Sequence, residues 1–428
     1  MILKVRPASS LRGTINLPAS KSYSIRSFII AALGGASKIF NVSDCEDVKV
    51  AIRACRKLGA HFSRLGRDSW EIKGIEGDFR FAPSINVGES GTTLRFLISL
   101  LTLTKNKIRV LGVGTLLKRP NHHLVKVLNQ HGAKIKGSGK EFRLPLEFWP
   151  SQLCGGRMEI NGSLSSQFIS SLLITCPRLK EDSRIKIIGE QMVSQPYIEM
   201  TLAVLKEAGI KIEKAGEREF KVKGRQQFHG LKKFVVPDDY GLAAFFMVAG
   251  SILKGKITLR KSRRKDLPQA DKAIIGFLKR TGAKIKLAPD KLVIEGPAQL
   301  SGGNFCLRNC PDLTPVMAVA ALFAKGRTTL WGIAHARKKE SDRISDLRAE
   351  LLKIGADIRE NRDALLITPV KELRRGLRLN PHKDHRLAMA FCVLGLKLGC
   401  VVEDIECIAK SYPTFLRDLR RLRPHNNI

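Results

Sequence analysis

The stretch SGTTLRFLISLL, residues 90–101, begins on a serine and continues as a run that is apolar on nearly every side of a helix. A serine at a helix start accepts a hydrogen bond from a backbone N–H group that has no partner within the helix. A helix that is apolar all round is buried, because it has no polar face to turn toward water. The stretch therefore predicts a helix enclosed in a protein core.

Five further segments share this pattern of a Ser or Asp followed by an apolar helix. The six segments begin 68 to 75 residues apart, at Ser22, Ser90, Ser165, Asp239, Asp312 and Asp384. A second series runs between them, in which an apolar helical segment ends at a glycine and a strand follows, at Gly59, Gly132, Gly209, Gly282 and Gly355. Glycine just past a helix end readily adopts the left-handed conformation found there. The spacing predicts six copies of an α/β unit of roughly seventy residues, and it leaves open whether they form a ring, a solenoid or two globes of three.

The composition is that of a globular protein with an unusual charge. The chain has 428 residues, 43% of them apolar, which is enough for a large core and two or three domains. Its net charge is +36, yet the cations are spread along the chain and aromatic residues make up only 6%. Anionic small molecules, nucleic acid and a generally basic proteome all remain compatible with this charge.

The sequence carries no membrane or export signal that we recognise. The first twenty residues lack the apolar core of a signal peptide, and no apolar run approaches the ~18 residues of a membrane span. The nine cysteines form no C-x-x-C pair and have no partners at zinc spacing. Reduced, buried thiols are the better interpretation, so we expect a cytoplasmic protein without a metal site.

Polar residues collect at the predicted helix starts and in nearby turns. For any single arginine a solvated surface position is the simpler interpretation, because Lys and Arg together number 75. A shared position in the repeats favours a site for several anions, because equivalent helix ends can converge. Its cations would be Lys21, Arg26, Arg119, Arg343, Arg386 and Lys410.

Two carboxylates are candidates for proton transfer at such a site. Asp312 could act as a general base, although a helix N-cap explains it equally well. Glu340 could do the same, although it could also be an ion-pair partner on a helix surface.

Taken together, these residues resemble the enolpyruvyl transferases, and within them the branch that acts on shikimate 3-phosphate. The matching motifs cover essentially the whole chain in the order of the family, and K-E-S-D-R and D-H-R-x-A-M are the most specific. They read GTINLPASKSYSIR, GESGTTLRFL, KRPNHHL, GSLSSQF, SQPYIEMTL, ALFAKGRTTL, ARKKESDRI, DHRLAMA and AKSYPTF.

The resemblance implies an α/β fold of two domains, an inside-out α/β barrel of six βαβαββ repeats with three in each domain. Domain I would comprise residues 1–19 and 238–428, domain II residues 20–237, and the active site would lie in the cleft between them. The implied reaction transfers the enolpyruvyl group of phosphoenolpyruvate to the 5-hydroxyl of shikimate 3-phosphate and releases phosphate. It would need no metal or organic cofactor, and a monomer that binds only these small molecules is expected.

The resemblance also assigns roles to residues. Asp312, Glu340 and Lys21 would be catalytic. Shikimate 3-phosphate would be bound by Lys21, Ser22, Arg26, Ser165, Ser166, Gln167, Ser194, Tyr197, Asp312, His335 and Lys339. Phosphoenolpyruvate would be bound by Lys21, Gly91, Arg119, Gln167, Arg343, Arg386 and Lys410.

The chain departs from the family pattern at three positions. Ala19 replaces a glycine, which adds strain if that position has a positive φ. Glu89 stands where the family usually has Asn, and its carboxylate would weaken binding of phosphoenolpyruvate and of its mimic glyphosate unless it points away or pairs with a cation. His335 stands where the family often has Asn.

Two alternatives remain. A UDP-N-acetylglucosamine enolpyruvyl transferase shares the fold, but it usually has a reactive Cys where this chain has Gly114 and Lys-Asn where this chain has Lys21-Ser22. A non-catalytic repeat protein that binds nucleic acid through its charge is the second, and it predicts affinity that collapses with salt.

Overall fold

The computed structural model describes residues 1–77, 79, 82–262 and 267–423. The chain divides into two compact units. Unit 1 comprises Met1–Pro18, Asp238–Lys265 and Gln269–Ile428, and unit 2 comprises Ala19–Pro237 and Asp266–Pro268.

Twelve α-helices lie within the described part of the chain. Those of unit 2 are α1 (Lys21–Ala31), α2 (Glu46–Lys57), α3 (Gly91–Leu100), α4 (His122–Gln130), α5 (Ser166–Thr175) and α6 (Gln195–Glu207). Those of unit 1 are α7 (Tyr240–Ile252), α8 (Ala273–Arg280), α9 (Thr314–Leu322), α10 (Ser345–Lys353), α11 (His385–Leu398) and α12 (Phe415–Arg421).

The strands follow the same division. Unit 1 begins with β1 (Leu3–Val5) and β2 (Leu11–Asn16). Unit 2 contains β3 (Ala36–Phe40), β4 (His61–Gly66), β5 (Ser69–Lys73), β6 (Ser84–Asn86), β7 (Ile108–Leu111), β8 (Lys134–Ser138), β9 (Arg143–Trp149), β10 (Gly156–Asn161), β11 (Ser183–Ile188), β12 (Ile212–Lys214), β13 (Glu219–Val222) and β14 (Lys232–Val235). Unit 1 resumes with β15 (Gly255–Arg260), β16 (Lys284–Leu287), β17 (Lys291–Gly296), β18 (Ser301–Cys306), β19 (Lys325–Trp331), β20 (Asp357–Glu360), β21 (Ala364–Thr368), β22 (Arg378–Leu379) and β23 (Cys400–Val402).

Five of the six small sheets in the described residues repeat one pattern. In the sheet β6-β7-β9-β8, the first two strands are parallel and a hairpin of β8 and β9 adds antiparallel to β7. Four other sheets have the same order, and the sixth has three strands, with β1 antiparallel to β23 and β22 parallel to it. A parallel pair needs a crossover connection, which for four of the six parallel pairs is one of the apolar helices, α3, α5, α9 or α11. The sixfold α/β repeat predicted from the sequence is confirmed.

Two strands, β2 and β14, pair with strands that are distant from them in the sequence. β2 directly precedes α1, yet it pairs in parallel with β15 of unit 1. β14 directly precedes α7, yet it pairs in parallel with β3 of unit 2. The chain therefore passes from one unit to the other after each of these strands, close to Pro18 and Pro237.

The apolar helices form the cores, as their sequences predict. All thirteen residues of α7 are buried, and α7, α9 and α11 pack against one another in unit 1. In unit 2, α3 packs against both α1 and α5. No helix among the described residues has both the length and the apolar character that crossing a membrane requires.

Three predicted helix starts need correction. The first helix begins at Lys21 rather than Ser22, and Ser20 is its N-cap. Ser90 is the N-cap of α3, but its hydroxyl bonds to that of Thr93 instead of a backbone N–H group. Asp312 lies in a short 3-10 turn, Pro311–Leu313, and does not cap α9. A short polar side chain at a helix start can bond to another group of the folded protein instead of to a backbone N–H of its helix, and the sequence does not show which partner it takes.

The other three starts are N-caps as predicted, at Ser165, Asp239 and Asp384. The five glycines predicted after helix ends all have positive φ, between 82° and 105°. The conditional strain at Ala19 does not arise, since it is absent from the described residues with positive φ.

Candidate active site

Arg343 is the centre of an ion-pair cluster in unit 1. Its side chain is 1% exposed, and its Nε donates to Asp384 Oδ2 at 2.7 Å. Nη1 donates to Asp312 Oδ1 at 2.7 Å, and Nη2 donates to Glu340 Oε2 at 2.9 Å. Burial alone lowers the pKa of Arg343, but the carboxylates of Asp384, Glu340 and Asp312 raise it above its usual value. The guanidinium therefore stays charged and holds three carboxylates in fixed directions.

Asp312 in turn contacts two further cations. Arg386 Nη2 lies 3.0 Å from Asp312 Oδ2, and Lys339 Nζ lies 3.6 Å from Oδ1. Burial raises the pKa of Asp312, but Arg386, Lys339 and Arg343 outweigh this effect and hold it well below its usual range. The carboxylate is ionised at any physiological pH.

Glu340 and His335 complete this part of the site. Glu340 Oε1 lies 3.9 Å from Nζ of Lys410, which is 6% exposed. His335 is 6% exposed, and burial, with the nearby ammonium of Lys339, lowers its pKa to about 3. The structure thus brings together six of the predicted residues in unit 1, namely Asp312, Lys339, Glu340, Arg343, Arg386 and Lys410. His335 is the seventh, because the ammonium of Lys339 lies near enough to lower its pKa.

A second cluster lies at the start of α3 in unit 2. Gln167 accepts from Arg95 Nη1 at 2.7 Å and donates to Thr92 Oγ1 at 2.9 Å. A Cβ at Gly91 would lie 2.7 Å from Arg119 Nη1 and 3.2 Å from Arg95 Nη1. Two guanidinium groups therefore meet at the N-terminus of α3, where the helix dipole also favours an anion.

Lys21 is held by a carboxylate that the sequence analysis did not identify. Its Nζ donates to Asp47 Oδ2 at 3.0 Å, and Asp47 is 4% exposed in the first turn of α2. Lys21 keeps a side chain that is 15% exposed, so it remains accessible from one side.

Arg26 is more deeply embedded than a simple anion-binding role predicts. It is 1% exposed and donates to Thr201 Oγ1, to the carbonyl of Ser22 and to the carbonyl of Tyr197. Burial lowers its pKa to about 10. These bonds fix α1 against α6.

The remaining predicted residues occupy helix starts. Ser165 Oγ accepts from the backbone N–H of Gln167 at 3.3 Å, so it caps α5, and Ser166 is the first residue of that helix. Ser194 has a left-handed backbone with φ 56° just before α6, and its side chain makes no capping bond. Tyr197 lies one turn further along α6.

A comparison with protein families matches residues 5–419 to EPSP synthase (3-phosphoshikimate 1-carboxyvinyltransferase). The chain belongs to the EPSP synthase family. It is 35% identical over 430 residues to the 3-phosphoshikimate 1-carboxyvinyltransferase of Haemophilus influenzae strain PittGG, covering 98% of each chain. It is 36% identical over 427 residues to that of Methanocaldococcus jannaschii, again covering 98% of each.

Solved structures agree with this assignment to the EPSP synthase family. EPSP synthase from Acinetobacter baumannii superposes with a TM-score of 0.80 at 25% identity, covering 99% of this chain and 98% of that one. The enolpyruvyl transferase NikO from Streptomyces tendae has the same fold, with a TM-score of 0.77 at 16% identity over 98% of this chain and 97% of that one. The family and the α/β fold class predicted from the sequence are both confirmed.

Three residues that hold the candidate site of this EPSP synthase family member were not predicted from the sequence. Asp384 was assigned only a cap, although it is fully buried and also binds Arg343. Asp47 lies outside the matching motifs, and Thr201 lies within SQPYIEMTL without a role assigned to it; they matter because they hold Lys21 and Arg26. A carboxylate directly before His-Arg in DHRLAMA was the one available signal, and it pointed equally to a helix start.

Proposed function

We propose that this chain catalyses the transfer of the enolpyruvyl group of phosphoenolpyruvate to the 5-hydroxyl of shikimate 3-phosphate, with release of phosphate. Membership of the EPSP synthase family supports the reaction as a whole. The observation that carries it is the ionised Asp312 carboxylate among Arg343, Arg386 and Lys339.

The charge balance of this cluster suits two anionic substrates. Three carboxylates, Asp312, Glu340 and Asp384, pair with four cations, Arg343, Arg386, Lys339 and Lys410. When phosphate and carboxylate groups bind, they share these cations and weaken their hold on Asp312. The pKa of Asp312 then rises toward its ordinary value, so the carboxylate becomes a stronger base when the hydroxyl is in place.

The proposed chemistry is an addition followed by an elimination. Asp312 accepts the proton of the 5-hydroxyl while the hydroxyl oxygen bonds to C2 of phosphoenolpyruvate. The methylene carbon gains a proton from Lys21 or Glu340. The resulting tetrahedral intermediate loses a proton from the methyl carbon to the same pair, the bond between C2 and the phosphate oxygen breaks, and the double bond re-forms. The leaving phosphate takes up one proton, and Asp312 releases the proton that it accepted from the 5-hydroxyl. Protons and electron pairs balance without an oxidant, a metal or an organic cofactor.

Binding follows the assignment made from sequence. Shikimate 3-phosphate is held by Lys21, Ser22, Arg26, Ser165, Ser166, Gln167, Ser194, Tyr197, Asp312, His335 and Lys339. Phosphoenolpyruvate is held by Lys21, Gly91, Arg119, Gln167, Arg343, Arg386 and Lys410. Both sets are rich in cations, because two highly charged anions must be neutralised before their reacting atoms can meet.

Phosphate release from purified protein, with both substrates present, tests the reaction. Asp312→Asn should lower kcat by at least about a hundredfold, since a general base contributes that much. Asp357→Asn is the matched control, because Asp357 is an exposed carboxylate of the same unit that lies 3.8 Å from Arg359.

Lys21→Ala tests the contribution of unit 2 in the same assay. It should lower turnover by orders of magnitude, while Lys38→Ala, at an exposed lysine of β3, should not. Absence of phosphate release by the wild-type chain, or release only with UDP-N-acetylglucosamine as acceptor, would refute the proposed reaction.

The proposal extends to the setting of the reaction. The chain works as a monomer in the cytoplasm on small molecules, and glyphosate competes with phosphoenolpyruvate. The free cysteines, six of the nine buried, support only the cytoplasmic part of this proposal, because reduced thiols persist in that compartment. Sedimentation of the purified protein and inhibition kinetics test these points.

A further inference from the structure

Glu89 is tied to the chain segment that leads to Arg119. Its Oε1 accepts a hydrogen bond from the backbone N–H of Thr115 at 2.7 Å. Thr115 lies in a 3-10 turn, Gly114–Lys118, and Arg119 follows directly. The carboxylate therefore bonds to the turn four residues before the guanidinium that we assign to phosphoenolpyruvate.

Gly114 makes this contact possible. Its φ is +59°, a conformation that residues with a side chain rarely adopt. A Cβ at position 114 would overlap the carboxylate of Glu89, with that group's Cδ only 2.6 Å away. Glu89 and Gly114 are thus a matched pair, in which the absence of one side chain leaves room for the other.

The turn delivers Arg119 into a closely packed position. Arg119 is 5% exposed, and a Cβ at position 91 would lie 2.7 Å from its Nη1. Because Arg119 directly follows the turn, a shift of the turn moves the backbone of Arg119 and with it the guanidinium. Arg119 therefore depends on the turn for its place as much as on its own side chain.

We propose that Glu89 is a positioning residue, whose carboxylate fixes the Gly114–Lys118 turn so that Arg119 meets phosphoenolpyruvate. The inference rests on the proposed function for its consequence in catalysis. A hydrogen bond to an ionised acceptor is stronger than one to a neutral amide. Glu stands where Asn is usual, so this chain places a negative charge near phosphoenolpyruvate and gains a stronger hydrogen bond to the turn.

Glu89→Ala and Glu89→Gln separate positioning from contact with substrate. Loss of the acceptor in Glu89→Ala should raise KM for phosphoenolpyruvate about tenfold or more, with KM for shikimate 3-phosphate nearly unchanged. Glu89→Gln keeps the reach and an acceptor oxygen, so it should restore most of that loss. If both variants instead lower KM for phosphoenolpyruvate, Glu89 acts only as a repelling charge and the proposal is wrong.

Amide hydrogen exchange gives a readout that does not need turnover. The Thr115 amide should exchange faster in Glu89→Ala than in wild type, while the Leu94 amide, in the first turns of α3, stays as protected. Gly114→Ala should also accelerate Thr115 exchange, because its Cβ would displace the carboxylate and its backbone would be strained at φ +59°. Unchanged Thr115 exchange in both single variants refutes the positioning role, whereas absent turnover with the expected exchange refutes only the proposed reaction.

Discussion

His335→Asn should make the folded protein less sensitive to acid. His335 is buried in the 3-10 turn Ala334–Lys338, and its Nε2 has no hydrogen-bond partner among the described residues. Burial and the ammonium of Lys339 lower its pKa from the ordinary 6.5 to about 3. Between these two pH values the unfolded chain binds a proton at this position and the folded chain does not.

The sign and size of the effect follow from this difference. Because the unfolded state binds more protons, the free energy of unfolding falls as the pH drops from 6.5 toward 3. Each pH unit within that window costs about 1.4 kcal/mol. At pH 4.5 the wild-type chain should therefore lose about 2.7 kcal/mol relative to pH 7.5 through His335 alone.

Urea unfolding of wild type and His335→Asn at both pH values measures this loss. The contributions of all other groups cancel when the pH dependence of the variant is subtracted from that of wild type. The difference should be about 2 to 3 kcal/mol, and His61→Asn, at an exposed histidine, is the matched control. Equal pH dependence in wild type and His335→Asn would refute the reasoning, and His335→Gln guards against an effect specific to asparagine.

Three further outcomes are expected. Arg343→Ala should lower the free energy of unfolding by about 3 to 5 kcal/mol in chemical denaturation, because it leaves buried carboxylates without their cation. The control Arg378→Ala, at an ion pair whose side chains are 62% and 28% exposed, should lower it by less than about 1 kcal/mol. Similar losses in the two variants would contradict this prediction. Gly91→Ala should raise KM for phosphoenolpyruvate about tenfold because its Cβ would lie 2.7 Å from Arg119 Nη1, and an unchanged KM in steady-state kinetics would show that the guanidinium moves aside freely. Alkylation of the native protein followed by mass spectrometry should label Cys154 first, since it is the one exposed cysteine among the nine, and early labelling of a buried cysteine would show local opening.

The helices and their C-terminal ends could be predicted well from local sequence, whereas three of the six predicted starts needed correction. The glycines after α2, α4, α6, α8 and α10 have positive φ as expected, because a helix terminus imposes its own backbone requirement within a few residues. The resemblance to a family added the reaction and a set of site residues that the repeat alone could not supply. Most of the predicted residues of unit 1 do lie together, in one network of ion pairs around Arg343.

The partners of those residues could not be predicted in the same way. Asp384 looked like an N-cap and is one, but its second bond is to Arg343, 41 residues away in the chain. Glu89 looked like an obstacle to an anionic substrate, and its bond to the Thr115 amide depends on a glycine that makes room for it. Such pairs involve side chains from separate segments, and nothing local marks them.

The sequence by itself determined the sixfold repeat, the buried helices and the family, because periodicity, capping and motif order are properties of short segments. The tertiary structure alone decided that β2 and β14 pair away from their neighbours in the chain and that Arg343 gathers three carboxylates. Strand pairing and ion pairing are long-range contacts, and their energies depend on which groups are brought together and removed from water.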